Sequence, residues 1–477
     1  MSSKKTVSQS EDFSGWYIET IKKADLMDYS PVRGCIVFKP AGYALWEAIQ
    51  KELDARLKET GHENAYFPLF IPQSFFEKEK EHVEGFNPEL PWVTEAGGDP
   101  LEEKLAIRPT SETMIGHMFS KWVKSYRDLP LLMNQWCNVV RWEKRTLPFL
   151  RTSEFLWQEG HTAHATEQEA KEETFKILDL YAEFIESVLA IPVVRGEKTP
   201  SEKFAGAVHT YSVEAMMKDG KALQAGTSHY MGQRFAKSFD IQFTDANNQL
   251  AYAYTTSWGV STRLIGALIM VHGDDQGLVL PPRIAPTQVI IIPIGAKGER
   301  ERVLSYAAQI LDRFKAKGIR VKLDDRDNYS PGWKFNEYEA KGIPLRMEIG
   351  PRDVNQDQVV LARRDTLEKI TVPAAQVLET VDRLFNEIQE NLYQQAKANF
   401  DRNTHMAETL EALTEIIQTK RGFVLSGWCG DDRCEAKVKE ESGAVSRNIP
   451  FDPPETMKTC VACGEKAKYT VWFAKSY

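Results

Sequence analysis

The sequence predicts a large α+β domain (residues 1–284), an α/β domain (residues 285–400) and a small α+β domain with a cysteine cluster (residues 401–477). Three observations predict this fold class. Helical and strand-like segments are mixed over residues 16–284, strands alternate with helices after the PPRIAP segment, and four of the six cysteines follow residue 428. A chain of 477 residues has room for two to four domains of typical size.

The composition is that of a globular protein, with 42% hydrophobic residues, 27% charged residues and 11 Trp. No apolar run approaches the roughly 18 residues of a membrane helix, and the first ten residues lack the apolar centre of a secretory signal. We therefore expect a cytoplasmic protein without a membrane partner. The net charge of −8 argues against nonspecific coating of nucleic acid, but it leaves room for a local basic surface.

In the first domain, apolar residues recur at helical spacing from Leu45 to Leu57, and Gly61 supplies a stop signal. The next segment, NAYFPLFIP, is typical of a strand. Its prolines, Pro68 and Pro72, favour an edge position because proline cannot donate a ladder hydrogen bond.

In the second domain, QVIIIPIG, IRVKLDD and IPLRMEIG are strand-like segments separated by helical ones. The first helix is expected over residues 299–317 and ends at Gly318. A long helix over residues 374–399 then leads to the cysteine-bearing segment.

The segment NVVRWEKRTLPFLRTSEFLWQEGH combines a strand, a charged loop and a second strand. It resembles motif 2 of the class II aminoacyl-tRNA synthetases. The resemblance implies that Arg141 binds the α-phosphate of ATP and that Glu143 contacts the nucleotide. An arginine suits this role because its planar fork makes bidentate, charge-assisted contacts. For the Arg-x-Glu pattern alone, a solvated β-hairpin with scattered charges is the alternative.

The segment YTTSWGVSTRLIGALIMVHGDD combines a strand with an apolar helix and resembles motif 3 of the same family. It implies that Arg263 binds the γ-phosphate and stacks on adenine, at a helix start that already favours anions. The general motif is rich in glycine, whereas this segment has only Gly259 and Gly266 between Trp258 and Val271. The alternative role for Arg263 is to cap a buried helix.

Residues 42–72 match motif 1, which builds the dimer interface in the family. By itself this segment is an amphipathic helix, which equally fits an internal core. Together with motifs 2 and 3 it predicts a homodimer.

Three more segments, RPTSET, WQEGHTAHAT and QAGTSHYMGQ, resemble motifs of the prolyl-tRNA synthetases. A cyclic apolar side chain favours aromatic walls, and its charged nitrogen favours a partly buried carboxylate. The resemblance assigns a set of residues to proline: Thr110, Glu112, Arg141, Trp157, Glu159, His161 and His229. It assigns a second set to ATP: Arg141, Glu143, Arg151, Thr152, Phe155, Gln224, Thr227 and Arg263. Taken singly, the histidines and aromatics are also typical of a core, and Glu112 is also typical of a first helical turn.

The family resemblance implies a class II fold, an antiparallel sheet with helices, and a two-step reaction. Proline and ATP give prolyl-adenylate and pyrophosphate, and the prolyl group then passes to the terminal ribose of tRNA(Pro). Arg141 and Arg263 would be the catalytic residues, and Mg²⁺ would enter with ATP. The segment between Glu143 and Gly259 predicts continuous catalytic-domain elements, so we expect no editing insertion there.

The second domain resembles the anticodon-binding domain shared by the glycyl, histidyl, prolyl and threonyl enzymes. Its segment GWKFNEYEAKGIPLRMEIGPRD places Glu339, Arg346 and Arg352 where the family recognises anticodon guanines. Arginine pairs with guanine O6 and N7, and glutamate accepts from its N1–H and N2–H₂ edge. The alternative is a solvated helix end.

Two cysteine pairs near the C-terminus, Cys429 with Cys434 and Cys460 with Cys463, have the spacing of a closed structural Zn²⁺ site. Unliganded thiols are the alternative. This segment resembles the C-terminal domain of archaeal and eukaryotic-type prolyl enzymes, in which the terminal residue, here Tyr477, packs toward the catalytic domain.

Two other interpretations remain. A synthetase-like regulatory or RNA-binding protein would usually have lost the phosphate-binding arginines, yet Arg141, Arg151 and Arg263 are present. A threonyl enzyme would need a catalytic zinc, and the matching segments contain no cysteine.

Overall fold

The computed structural model describes residues 7–80, 89–295 and 298–477. The first 284 residues form both helices and strands. The helices are α1 (Phe13–Lys23), α2 (Pro40–Glu59), α3 (Gln73–Lys80), α4 (Glu112–Trp122), α5 (Glu167–Ser187), α6 (Arg234–Phe239) and α7 (Arg263–His272), with a 3₁₀ turn at Tyr126–Asp128. The strands are β1 (Met27–Tyr29), β2 (Ile36–Phe38), β3 (Glu63–Asn64), β4 (Phe70–Pro72), β5 (Trp92–Ala96), β6 (Asp99–Ile107), β7 (Leu131–Val140), β8 (Glu154–His164), β9 (Val193–Glu197), β10 (His209–Met216), β11 (Ala222–Gly232), β12 (Gln242–Thr244), β13 (Leu250–Tyr252) and β14 (Tyr254–Ser261).

A twisted antiparallel sheet in the order β9-β10-β11-β14-β8-β7 forms the centre of this region. Helix α5 covers one face and contributes Ile177, Tyr181 and Phe184 to the main core. It begins with a capping box, in which Thr166 and Glu169 each satisfy the other's backbone N–H. The expected antiparallel sheet with helices is therefore present.

The NAYFPLFIP segment forms less strand than expected. Only Phe70–Pro72 pairs in β4, at the edge of the antiparallel sheet β4-β6-β5, which matches the expected edge position of Pro72. Residues 65–69 lie outside any strand, and Pro68 among them has no backbone N–H to donate to a ladder. Helix α2 ends before Gly61, whose φ of +89° suits glycine, as expected.

The second region contains three helices and a long fourth one around a mixed sheet. Its helices are α8 (Arg300–Ala316), α9 (Pro331–Ala340), α10 (Pro351–Asn355) and α11 (Val377–Arg402), with a 3₁₀ turn at Ala374–Gln376. Its strands are β15 (Val289–Pro293), β16 (Val321–Leu323), β17 (Leu345–Ile349), β18 (Gln358–Arg363) and β19 (Lys369–Pro373). Strand β15 pairs in parallel with β16 and β17, as the alternation of strands and helices predicts.

The C-terminal region continues the central sheet. It contains β20 (Thr404–Met406), α12 (Leu410–Thr419), β21 (Phe423–Trp428), α13 (Asp432–Ser442), β22 (Val445–Pro450) and β23 (Tyr469–Ala474). Strand β22 pairs with β9, which makes one eleven-stranded sheet within the described residues. A Cβ at Gly196 would overlap the Ile449 carbonyl, so this close approach requires glycine. The sequence did not predict that the two domains share a sheet.

A buried ion cluster fastens the C-terminal region to the central sheet. Glu214 on β10 is fully buried and accepts from Arg447 Nη2 at 2.7 Å, and Lys198 Nζ lies 3.1 Å from its other oxygen. Burial raises the pKa of Glu214, but the charges of Arg447 and Lys198 outweigh it and hold that pKa below its usual range. The carboxylate therefore stays ionised in the folded state.

Tyr477 contacts the first region between β10 and β11, as the family resemblance implies. Its hydroxyl donates to Asp219 at 2.6 Å, and its ring lies 4.3 Å from Lys221 Nζ. Across the described ranges, every helix is too short or too polar to cross a membrane.

Replacing Arg447 with Ala should destabilise the fold by about 3 kcal/mol, because it leaves a buried carboxylate with half of its partners. The difference from wild type should shrink at acid pH. A carboxyl whose pKa is lower in the folded state stabilises the fold at pH values above its unfolded pKa of about 4.3. That stabilisation is lost as the pH falls through the folded pKa.

Urea unfolding at pH 7 and at pH 4 measures this difference. Arg433→Ala is the matched control, because that side chain is 91% exposed and its removal should leave the unfolding midpoint unchanged. An equal midpoint for Arg447→Ala and wild type at pH 7 would contradict the prediction.

Candidate active site

A cavity of about 210 Å³ lies against the central sheet. It brings together most of the residues predicted for the site from the sequence. Those that line it are Thr110, Glu112, Arg141, Phe155, Trp157, Glu159, His161, Gln224, Thr227, His229 and Arg263.

The pairing of three strands explains why these side chains share one face. On β8, Trp157, Glu159 and His161 alternate and therefore point to the same side of the sheet. Glu159 lies opposite Gly259 of β14, and Gly259 lies opposite Thr227 of β11. A side chain at Gly259 would press on the Gln158 carbonyl and the Trp157 ring, so glycine keeps this part of the sheet open.

Three predicted residues lie outside the cavity lining. Strand β7 ends at Val140, so Glu143 lies in the following loop, where it is 3.9 Å from the half-exposed Arg151. Thr152 is buried, and its hydroxyl donates to the Glu154 carbonyl at 2.7 Å.

Several lining residues were not predicted from the sequence. Thr210 faces the site because it pairs directly with His229 across β10 and β11, and no local pattern shows that pairing. The residues in question are Glu202, Phe204, Thr210, Ala225, Gly226, Ser257, Trp258, Gly259, Val260 and Ser261. For the lining residues on β14, the available sequence signal was the alternation of side chains between the two faces of a strand, counted from Ser257.

Glu159 supports the base of the cavity from a buried position. It accepts from Gln135 Nε2 at 2.6 Å, from the Ser111 N–H at 3.2 Å and from His161 Nε2 at 2.9 Å. Burial raises its pKa, but the bond from His161 outweighs burial and the net shift is downward. Burial disfavours the charged form of His161 and so lowers its pKa. The hydrogen bond to Glu159 and the charge of Glu112 outweigh burial, and the net shift is upward. The two residues form a buried ion pair.

Glu112 provides a half-buried carboxylate to the cavity lining. It is the first residue of α4, is half-buried, and accepts the hydroxyl proton of Thr110. A carboxylate in this partly desolvated position is suited to bind a cationic group.

His229 stays neutral. Burial lowers its pKa to about 3, with help from the positive charges of His161 and Arg141. Thr210 Oγ1 accepts from the Phe204 N–H at 3.0 Å and lies 3.0 Å from His229 Nδ1.

Arg141 contributes a positive charge to the cavity lining, in contrast to the carboxylates and the neutral histidine. Its Nε donates to the Pro109 carbonyl at 3.1 Å, and its guanidinium lies 5.3 Å from the Phe155 ring and 5.5 Å from the Trp157 ring. The carbonyl and the two rings therefore hold the guanidinium in one orientation.

Arg263 begins α7, and its side chain is held by two backbone carbonyls. Nε donates to Leu150 at 3.0 Å and Nη1 donates to Gln224 at 3.4 Å. Burial, together with the nearby positive charges of Arg141 and Arg151, lowers its pKa to about 10. Three guanidinium groups thus raise the local positive potential, which favours a polyanion.

The residues predicted to recognise the anticodon lie in the second region. Arg346 on β17 is ion-paired with Glu339 and with Glu348 at 3.0 Å, and its guanidinium lies 4.1 Å from the Phe335 ring. Arg352 is exposed on α10.

The four cysteines of the C-terminal region converge. Their Sγ atoms all lie within 4.8 Å of one another. Cys429 Sγ is 3.6 Å from Cys434 Sγ and 3.9 Å from Cys463 Sγ. Tetrahedral Zn–S bonds of about 2.3 Å require sulfur–sulfur distances of roughly 3.8 Å, so the cluster fits a zinc ion.

Comparison with known proteins gives three family matches in chain order. Residues 92–272 match the tRNA synthetase class II core domain (G, H, P, S and T), residues 288–384 match an anticodon binding domain, and residues 410–477 match the prolyl-tRNA synthetase C-terminal domain.

Curated bacterial relatives match over almost their whole length. The proline–tRNA ligase of Symbiobacterium thermophilum is 64% identical, covering 99% of this chain and 98% of the relative. That of Natranaerobius thermophilus is 55% identical with the same coverage, and that of Alkaliphilus oremlandii is 57% identical over 98% of this chain and 96% of the relative. The chain therefore belongs to the proline–tRNA ligase family of class II aminoacyl-tRNA synthetases.

Proposed function

We propose that this chain activates proline with ATP and transfers it to the 3′-terminal ribose of tRNA(Pro). The proposal rests on one observation. A single cavity is lined by the carboxylate of Glu112 and by two guanidinium groups that are held in place, those of Arg141 and Arg263. Such a cavity suits an amino acid and a triphosphate side by side.

In the proposed proline complex, Thr110 and Glu112 receive the secondary ammonium and Arg141 binds the carboxylate. Trp157 supplies an aromatic wall, and the Glu159–His161 ion pair fixes the base of the cavity. His229 closes the cavity with a neutral imidazole ring.

In the proposed ATP complex, Arg141 contacts the α-phosphate and Arg263 contacts the γ-phosphate. The other residues that we assign to the nucleotide are Glu143, Arg151, Thr152, Phe155, Gln224 and Thr227. Mg²⁺ enters with the triphosphate and supplies further positive charge for its oxygens. Glu143, Arg151 and Thr152 would contact ATP beyond the cavity lining, from the loop between β7 and β8.

The reaction needs no covalent bond to the protein. A proline carboxylate oxygen attacks the α-phosphorus, the bond between the α- and β-phosphates breaks, and pyrophosphate leaves with its electrons. The ribose hydroxyl then attacks the carbonyl carbon of prolyl-adenylate and AMP leaves. The arginines act by positioning and by stabilising the charge on the phosphoryl oxygens.

We extend the proposal to tRNA and to the domain division at residues 284 and 400. Glu339, Arg346 and Arg352 would recognise anticodon guanines, and the ion pair between Glu339 and Arg346 orients both groups before binding. Helix α11 runs past residue 400 to Arg402, so the second boundary lies in its last turn.

We also propose that the four-cysteine cluster holds a structural Zn²⁺ and that the architecture is of the archaeal and eukaryotic type. The sulfur distances support zinc. Continuous elements from β8 to β14, without an inserted domain, support the subtype, although the relatives named above are bacterial. The protein is proposed to act in the cytoplasm.

The proposed homodimer uses residues 42–72. Three large hydrophobic side chains of this segment are exposed, namely Tyr43 (44%), Tyr66 (70%) and Phe70 (44%). Exposed aromatic side chains support the proposed interface, because aromatic residues are enriched where protein surfaces meet.

Replacing Arg141 with Ala should lower proline-dependent ATP–pyrophosphate exchange by about 10²–10³-fold, because it removes a charge-assisted contact to the transition state. The exposed Arg127 provides a matched control, and Arg127→Ala should exchange at the wild-type rate. Exchange assayed with each of the twenty amino acids tests specificity at the same time. Wild-type exchange by Arg141→Ala would refute the assignment.

The purified chain should contain equimolar zinc by elemental analysis, and Cys460→Ser should lose it and unfold at lower temperature. Cys35→Ser is the control, because Cys35 lies far from the cluster in sequence and should leave the zinc content unchanged. A zinc-free wild-type protein with an unchanged melting temperature would contradict the proposal.

Alanine should be activated measurably, because a pocket excludes a smaller side chain by only about 1–3 kcal/mol. Without an editing insertion, the enzyme should leave Ala-tRNA intact. Alanine-dependent exchange and deacylation of purified Ala-tRNA(Pro) measure the two effects. Rapid deacylation by the purified chain is the opposing result.

A further inference from the structure

The loop from residue 198 to residue 208, between β9 and β10, forms one wall of the cavity. Glu202 and Phe204 line the cavity directly. The Phe204 ring lies 4.6 Å from the His229 ring, and the Phe204 N–H donates to Thr210 Oγ1, which in turn contacts His229. The path of this loop therefore sets the position of both Phe204 and His229.

The beginning of the loop is held from the C-terminal region by a single carboxylate, Glu435 of α13. Thr199 Oγ1 donates to Glu435 Oε1 at 2.8 Å, and Ser201 Oγ donates to Oε2 at 2.8 Å. The hydroxyl of Ser446 also donates to Oε1. Each carboxylate oxygen of Glu435 therefore accepts a hydrogen bond from the loop, Oε1 from Thr199 and Oε2 from Ser201.

The contact between Thr199 and Glu435 is sheltered from water. Glu435 is 8% exposed and Thr199 is 1% exposed. Hydrogen bonds to an ionised acceptor are stronger than those between neutral groups. A buried hydroxyl that loses its acceptor destabilises the folded state. The following turn of the loop is held to Thr199 as well, because the Glu202 N–H donates to the Thr199 carbonyl at 3.1 Å.

We propose that Glu435 is a positioning residue for the amino-acid end of the cavity. It fixes the loop through Thr199 and Ser201, and the loop fixes Phe204 and His229. The inference rests on the proposed function of the cavity. Arg141 and Arg263 are held instead by carbonyls of residues 109, 150 and 224, which lie outside this loop, so the nucleotide end does not depend on Glu435.

Replacing Glu435 with Ala in the full chain should raise the KM for proline about tenfold in pyrophosphate exchange and reduce the preference for proline over alanine. The KM for ATP should stay within about twofold of wild type. Glu435→Gln should have an intermediate effect, because its carbonyl oxygen still accepts from Thr199. A merely structural loss would instead lower the active fraction without changing either KM.

Glu440→Ala is the matched control, since Glu440 is exposed on the same helix and should leave both KM values unchanged. Ser201→Ala removes one donor from the loop side at an exposed position, and it decides the question if Glu435→Ala fails to fold. It should raise the KM for proline about threefold.

An unchanged KM for proline in folded Glu435→Ala, or in Ser201→Ala when the former does not fold, overturns the inference. Equal increases in both KM values also overturn it. If wild-type protein shows no proline-dependent exchange, the proposed function fails instead, so the two failures are distinguishable.

Discussion

The pairing register of β8, β11 and β14 is the constraint on which the site depends. Side chains alternate between the two faces of a strand, so a shift of one residue would turn Glu159, His161 and Thr227 away from the cavity. The close contact between Gly160 and the Trp258 indole restricts this register, because a Cβ at Gly160 would overlap the ring. The packing of the core and the chemistry of the cavity are therefore determined by the same strand pairing.

Charge is distributed in the cavity so that every buried ionised group has a partner. Glu159 is neutralised by His161 and satisfied by Gln135 and Ser111, which leaves Glu112 and the exposed Glu202 as the other carboxylates that line the cavity. The arginines are oriented by backbone carbonyls, which accept hydrogen bonds without cancelling a charge. This combination of an available carboxylate and available guanidinium groups can bind an amino acid and a polyanion together.

The C-terminal region contributes to the site although it supplies no lining residue. It extends the central sheet through β22, it contacts β10 through the buried Glu214, and its own buried Glu435 contacts the loop after β9. A domain that packed through a flexible linker would have left the loop after β9 without these restraints. The shared sheet instead makes the cysteine cluster, the loop and the cavity parts of one packed unit.

The sequence by itself determined the elements, the residue types and the family. The pattern of strand, charged loop and strand around β8 and the helical spacing of α2 are local patterns, and they predicted both elements correctly. The sequence also identified eleven residues that line the cavity. Only the tertiary structure decided that Phe204 and Thr210 join them, that Glu143, Arg151 and Thr152 lie outside the lining, and that β22 joins β9. The physical reason is that these outcomes depend on contacts between residues far apart in the chain, which local hydrophobic periodicity and turn chemistry do not specify.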